Sequence, residues 1–393
     1  MHIDCRMASA ARALSPQRLR CPAAATYNPS MKIRALGGLT AQDFLRRHWQ
    51  KRPLLVRGAL PGFRGVASRE QLLRLAARPD VESRLIRRTG SRWGVTHGPL
   101  ARVVPRRNAT LLVSGVNLHL AAADRLLRMF SFLPQARLDD VMVSWAAPGG
   151  GVGPHFDSYD VFLVQGAGRR MWRLQRPRRW RLVQGAPLKL IDGFAPDQEL
   201  LAEPGDLLYL PPGWGHDGVA LEECITCSVG LRAPQGEELA AAFLDYLHER
   251  GLPRANYRDP GLRPVRHSAE IPPRLLQHAA ATLGRIRWGR GNVESFLGRY
   301  LTTPKPHVVF APPARPLSRA AFRRRMRRTP VVLDLRTQML TLGARLFCNG
   351  EEFKPARALR LLADRRRALV GPALADLIYD WYLSGYLHLE RSP

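Results

Sequence analysis

The chain is 393 residues long and 45% hydrophobic, enough apolar material for two or three packed domains, which excludes a disordered polypeptide. No run of about 18 apolar residues occurs, so no membrane-spanning helix is expected. Lysine and arginine number 61 against 32 acidic residues, a formal net charge of +29 that favours polyanionic surroundings, nucleic acid or ribonucleoprotein included, without demonstrating binding.

Only five of the cations are lysines (Lys32, Lys51, Lys189, Lys305 and Lys354), and codon bias is a second, non-functional source of so much arginine. The first thirty residues are rich in Ala, Arg and Ser and lack the apolar core of a secretory signal. They read as a disordered extension or a mis-assigned start, with Met31 opening the orderly part. Thr40 followed by Asp43 predicts a capped helix through about Trp49, and KRPLLVRGAL a strand after it. Residues 61–138 mix short helices and strands. From Val141 onward VMVSW, DVFLVQ, RRMWRL, LLYLPP and CITCSVGL predict strands separated by Gly, Pro and Asp turns, the spacing of a small barrel or jelly roll.

After Pro234 helical periodicity takes over, at 237–251, 273–283 and 292–300. The proline-rich stretch 304–316 reads as a linker. Beyond it SRAAFRRRMRR, RALRLLADRRRAL and ALADLIYDWYLSGYL predict helices, VVLDLR and ARLFCNGEEFK strands, with Asn349-Gly350 as a hairpin turn. A winged-helix type of domain fits this end. Cys5, Cys21, Cys224, Cys227 and Cys348 form no disulfide framework, which fits a cytoplasmic protein. The C-I-T-C of 224–227 lacks a second CxxC and reads as buried structural thiols on a strand.

The chemistry concentrates in GGGVGPHFDSYDVFLV, residues 149–164. Residues two apart on an extended segment share a face, so His155 and Asp157 can point at one metal. HxD alone is a weak signal. EPGDLLYLPPGWGHDG adds His216, delivered by a Pro-Gly-Asp turn, an apolar strand and a Pro-Pro-Gly turn. Two imidazoles and one carboxylate make the facial triad of non-haem Fe(II) oxygenases, which leaves three positions open for dioxygen and a cosubstrate. In RRMWRL, alternation sets Arg170 on the apolar face with Trp172 and Leu174. A buried guanidinium requires an anion, and a dicarboxylate cosubstrate provides one. Ser144, Thr226 and Ser228 are hydroxyls available to line the same pocket. Asp160 reads as a turn residue, and the remaining histidines, His307 among them, as surface or core.

FLRRHWQKRPLLVRG, GGGVGPHFDSYDVFLVQGAGRRMWRL, EPGDLLYLPPGWGHDG and SVGLRAP together resemble the bacterial JmjC-type ribosomal oxygenases, in particular the ribosomal protein uL16 arginine 3-hydroxylase group of cupin-like proteins, from about Met31 to the C-terminus. The resemblance implies a mainly β fold with helices: a JmjC/cupin double-stranded β-helix (jelly roll), then a helical dimerisation region and a winged-helix-like C-terminal domain. The divisions expected are 1–30 for the extension, 31–236 for the catalytic domain, 237–300 for the helical region and 301–393 for the C-terminal domain.

It further implies Fe(II) held by His155, Asp157 and His216, with 2-oxoglutarate paired to Arg170 and Ser144 beside it. The implied reaction uses O2, converts 2-oxoglutarate to succinate and CO2, and hydroxylates the β-carbon of an arginine in a large-subunit ribosomal protein. A homodimer without membrane attachment is implied as well. Tyr159, Asp160, Asp139 and Asp140 are candidates for the mouth that admits a cationic side chain. The excess positive charge is then expected on the extension and the C-terminal domain. Two rivals remain open: another metal-dependent cupin enzyme acting on a small molecule, and a non-catalytic regulator that binds nucleic acid through its C-terminal domain.

Overall fold

Thr40 caps the first helix, α1 (Ala41–Arg47), its hydroxyl accepting the N–H of Asp43 at 3.0 Å. That satisfies one of the donors every helix start leaves unpaired. The helix stops short of the expected Trp49, because Gln50 takes a positive φ of 55° and turns the chain. The structure, a computed structural model, describes residues 36–101 and 107–390. The extension 1–30, with Cys5 and Cys21, lies outside the described residues.

Eleven strands follow in the first part of the chain: β1 (Leu54–Val56), β2 (Ser83–Thr89), β3 (Arg92–His97), β4 (Ala109–Val113), β5 (Leu138–Ala146), β6 (Val161–Ala167), β7 (Arg170–Gln175), β8 (Gln198–Ala202), β9 (Leu207–Leu210), β10 (Gly215–Ala220) and β11 (Cys224–Leu231). Eight of them form one sheet in the order β1-β9-β6-β11-β5-β4-β2-β3, and three form a second, β10-β7-β8. Two helices, α2 (Arg69–Ala76) and α3 (Ala121–Arg128), join α1 on the outside of the large sheet.

Period-two alternation divides the large sheet between two cores. Phe162 and Val164 of β6 pack outward with Phe44, Leu126 and Leu127, whereas Val161 and Leu163 point inward to Trp172 and Leu174 of β7. Leu207 and Tyr209 of β9 likewise face the helices, Leu208 and Leu210 the interior. A strand buried on both faces must be apolar at every position, which is why DVFLVQ and LLYLPP read as continuous hydrophobic runs. Burying one such side chain contributes roughly 1.5–3 kcal/mol. The result is the expected jelly roll, with an interior between the two sheets.

Helices α4 (Gly236–Glu249), α5 (Pro273–Leu283) and α6 (Arg290–Thr302) come next. Phe296 of α6 packs with Tyr246 and Leu247 of α4. Gly298 of the same helix lies so close to the Phe347 ring that a Cβ there would sit 2.2 Å from it. The C-terminal unit holds α7 (Arg319–Met326), β12 (Val331–Leu333), β13 (Met339–Leu342), β14 (Arg345–Cys348), β15 (Glu351–Phe353), α8 (Arg357–Arg365), β16 (Arg367–Ala368), α9 (Ala375–Leu383) and β17 (Leu387–Leu389) around a separate core. Asn349 and Gly350 both take positive φ, 48° and 87°, as the β14–β15 hairpin turn requires. The helix read through RALRLLADRRRAL ends earlier than expected. Arg366 adopts φ 57° and buries its guanidinium against the carbonyls of Thr337 and Asp334.

Candidate active site

The chain between β5 and β6 makes one isolated bridge, and it decides the site. His155 and His216 exchange backbone hydrogen bonds of 3.0 and 2.7 Å, and their ring centroids stand 4.2 Å apart. His155 and Asp157 therefore lie on an irregular extended segment rather than on a strand proper, and His216 is the second residue of β10 rather than part of the Pro-Pro-Gly turn. The turn instead anchors Asp157, because Gly213, at φ 79°, donates its N–H to the Asp157 carbonyl at 2.8 Å.

Each imidazole is oriented from behind. Nδ1 of His155 lies 2.9 Å from the Gly153 carbonyl and Nδ1 of His216 lies 3.0 Å from that of Trp214. A carbonyl only accepts, so Nδ1 carries the proton and Nε2 faces the site. Nε2 of His216 is 3.7 Å from Oδ2 of Asp157, and ligand atoms of all three residues fall within 4.8 Å of one another. Burial, reinforced by His155, pushes the His216 imidazole down to about 4, so it is neutral, the form that ligates a metal. The donor set suits a divalent iron-group ion, with positions left open on one side.

β7 supplies the second component. Its register against β10 sets Arg170, Trp172 and Leu174 opposite Ala220, Gly218 and His216. A Cβ at position 218 would meet the Trp172 ring at 2.6 Å, so only glycine allows that ring to lie flat across the pair. Arg170 is 3% exposed. Its Nη2 reaches Ser144 Oγ at 3.5 Å and Cys224 Sγ at 3.4 Å, while Nε is buried with no partner. No carboxylate lies within ion-pair distance of it among the described residues. A buried guanidinium so poorly compensated is costly unless an anion joins it.

These residues share one cavity of about 580 Å³. Ser144, Thr226 and Ser228 line its inner wall; Glu82, Asp139, Asp140 and Tyr159 line it as well. Asp140 accepts the Gly115 N–H at 2.9 Å, and burial beside Asp139 holds its carboxyl above the ordinary range. Burial, with Asp157 nearby, raises the Tyr159 phenol too, so it stays a hydrogen-bond donor.

Asp160, expected either in a turn or at the mouth, occupies neither place. It is fully buried behind the cavity, accepting from the Tyr209 hydroxyl at 2.6 Å and from Gln50 Nε2 at 3.0 Å. The cysteines of C-I-T-C are both buried. Cys227 packs in the helix-side core, where burial pushes its thiol up to about 12, and Cys224 touches Arg170.

The structure also adds residues that no local motif announced. Arg84, Lys189, Lys305 and His307 line the cavity. His307 was expected on the surface or in a core, and 304–316 as a mere linker; its Lys305 instead pairs with Asp139 at 3.3 Å. Arg84 alone had a signal, since the alternation that set Arg170 inward also sets Arg84 and Ile86 inward on β2. Nor does the positive charge gather on the extension, which contributes only Arg6, Arg12, Arg18 and Arg20.

Comparison with known proteins agrees with this geometry. A JmjC domain is matched over residues 125–239 and a ROXA-like winged helix over residues 281–388. The chain is 36% identical over 348 residues to the ribosomal protein uL16 3-hydroxylase of Escherichia coli K12, covering 86% of this chain and 92% of that one. It is 37% identical over 207 residues to a probable ribosomal oxygenase of Haemophilus influenzae, half the length of each. A crystal structure of E. coli YcfD superposes with a TM-score of 0.79 at 33% identity, over 90% of this chain and 99% of that one. Another, of the E. coli ribosomal oxygenase YcfD in complex with cobalt and 2-oxoglutarate, gives a TM-score of 0.76 at 32% identity and the same coverage. A relationship at this identity along nearly the whole of both proteins places the chain in the family of JmjC-type ribosomal oxygenases.

Proposed function

We propose that this chain is an Fe(II)- and 2-oxoglutarate-dependent protein hydroxylase that oxidises the β-carbon of an arginine in the large-subunit ribosomal protein uL16. The observation that carries the reading is Arg170, a buried cation with an unpartnered Nε in the same cavity as His155, Asp157 and His216. Those three residues would hold the iron, and Arg170 with Ser144 the distal carboxylate of 2-oxoglutarate. With dioxygen, these groups supply the oxidation that converts 2-oxoglutarate to succinate and CO2 while a C–H bond becomes C–OH.

The protein's own part is positioning. Arg170 offers a planar fork that matches a carboxylate in two hydrogen bonds, fixing the cosubstrate's far end. Trp172, its ring centroid 5.6 Å from that guanidinium carbon and 6.0 Å from the His216 ring, fills the space between them. Asp139, Asp140 and Glu82 are the carboxylates of the cavity that could receive a substrate guanidinium.

Mass spectrometry of uL16 incubated with the protein, Fe(II) and 2-oxoglutarate tests the reading. The expected result is one added oxygen on an arginine, with stoichiometric succinate; unmodified uL16 beside active 2-oxoglutarate turnover would refute the substrate assignment. In a small-molecule cupin enzyme or a nucleic-acid-binding regulator Arg170 has no assigned role, and Fe(II)-dependent turnover of 2-oxoglutarate to succinate separates these readings from the hydroxylase.

The catalytic unit is assigned to residues 31–236, the helical region to 237–300 and the winged-helix-like unit to 301–393, with α6 touching both of the latter. Leu244 (65% exposed), Ile271 (72%), Leu276 (67%) and Leu283 (67%) leave the helical region with an uncovered apolar surface. We assign it to pairing with a second copy of this chain, which light scattering of the purified protein checks. No helix among the described residues is long and apolar enough to cross a membrane, and the proposed site of action is the cytoplasm, where uL16 is made.

A further inference from the structure

The cavity, lined by carboxylates and cations alike, has a cationic rim. One lip is the stretch between β7 and β8, where Arg176, Arg178, Arg179 and Arg181 are exposed and Leu188 and Lys189 turn into the cavity. The other is the β2–β3 hairpin, with Arg87, Arg88 and Arg92 exposed. The lips meet over Gly153, where a Cβ would lie 2.6 Å from Leu190 of the first and 2.9 Å from Trp93 of the second. None of these seven arginines has a carboxylate within ion-pair distance among the described residues.

In a chain with 61 cations and 32 acids, some arginines go unpaired wherever they stand, so missing partners alone decide nothing. Two further features bear on the rim. Each lip pairs an arginine with a tryptophan: Arg88 lies 5.7 Å from the Trp93 ring and Arg178 lies 5.3 Å from that of Trp180. Guanidinium forks held beside aromatic rings are the chemistry that tracks a phosphate backbone; Trp180 is already stacked on Phe156, so the forks are what the rim offers. The second feature is a conflict of sign. A basic ribosomal protein approaching alone is repelled by the rim before its side chain reaches Asp139 and Asp140. Phosphates laid across the rim reverse that repulsion and leave the cavity open to the arginine.

We propose that this rim is an RNA-binding surface, and that the substrate arginine is presented to the cavity alongside RNA. The presentation half rests on the hydroxylase reading above; the RNA-binding half stands independently of it.

Fluorescence anisotropy of the full chain with a labelled, unstructured oligouridylate, measured across a salt series, tests the surface. Charge reversal at R178E/R179E/R181E is expected to weaken binding by about tenfold or more and to flatten the salt slope by about one per arginine removed. An equal reversal at the C-terminal end of α7, R324E/R325E/R327E, is expected to weaken it less than about threefold. Should the triple reversal fail to fold, R178A/R179A serves in the same comparison. Equal losses in the rim and α7 variants would mean diffuse attraction and overturn the proposal. So would a rim variant that keeps its RNA affinity while losing binding to phosphatidylglycerol vesicles. Hydroxylation of isolated uL16 is measured in parallel: its absence from the unsubstituted protein defeats the enzymatic reading without touching the RNA comparison.

Discussion

His155 and His216 are hydrogen-bonded neighbours although sixty residues of chain separate them, each donating its backbone N–H to the other's carbonyl at 3.0 and 2.7 Å. This bridge brings Nε2 of both rings to the same point. Asp157, tied through its carbonyl to Gly213, completes the set. The backbone holds the three proposed ligands together by its own hydrogen bonds, so a metal binding there would need little further ordering.

Removing one donor should therefore cost metal affinity without unfolding the protein. His216→Ala or Asp157→Asn is expected to weaken cobalt(II) binding by about a hundredfold or more, followed by visible absorption of the bound ion. A chelator should abolish 2-oxoglutarate turnover in the unsubstituted protein, and added Fe(II) should restore it. Cobalt affinity equal to the parent's would remove these residues from the ligand set.

Arg170→Ala should raise the 2-oxoglutarate KM by one to two orders of magnitude, corresponding to loss of charge-assisted hydrogen bonds of about 1.5–3 kcal/mol. Arg170→Lys should recover only part of this, because a point charge cannot form the fork. Titrating the cosubstrate against succinate release measures both, and an unchanged KM in the alanine variant counts against the assignment.

His119 makes acid stability predictable. Burial, reinforced by Arg78, depresses its imidazole from 6.5 to about 4, and its buried Nδ1 has no partner. Between those two values the unfolded chain holds more protons than the folded one. The contribution of His119 is thus complete above about pH 6.5 and is lost as the pH falls toward 4. His119→Phe should flatten the decline in melting temperature over this window; a decline as steep as the parent's would assign the acid sensitivity to other groups.

Asp206 closes the Pro-Gly-Asp turn by accepting the backbone N–H groups of Gly58 and Glu203, at 2.8 and 3.0 Å, and the Arg57 guanidinium at 2.7 Å. It thereby fastens the end of β1 to the start of β9, whose ladder pairs Val56 with Leu207. Asp206→Ala removes the acceptor of two backbone N–H groups and of the Arg57 guanidinium and should cost about 2–3 kcal/mol in urea unfolding. Asp206→Asn, which keeps an acceptor oxygen, should cost less. Equal losses in the two variants would argue that charge, rather than hydrogen bonding, holds the turn.

Much of this was legible from the order of residues alone. Alternation marked the strands and set Arg170 inward, because a strand's side chains point to opposite faces regardless of what surrounds them. The Thr40 cap and the Asn349-Gly350 turn are local in the same sense, their hydrogen bonds and dihedrals being settled within four residues. Local patterns failed where a tertiary partner overrode them, as at Arg366, whose buried guanidinium ends a helix that periodicity would continue.

Other features had no local signal. Nothing within DSYD distinguishes Asp157, which lies beside His155 and His216, from Asp160, which the Tyr209 hydroxyl and Gln50 draw into the core. Nor does PKPHVV reveal that Lys305 reaches Asp139 at the cavity. Residue types and periodicity determined which elements form and which side chains carry the chemistry, since those depend on backbone geometry and burial preference. Which carboxylate meets the histidines, and which arginines surround the opening, was decided by long-range register and packing, because a side chain's partner is set by what the fold carries to it.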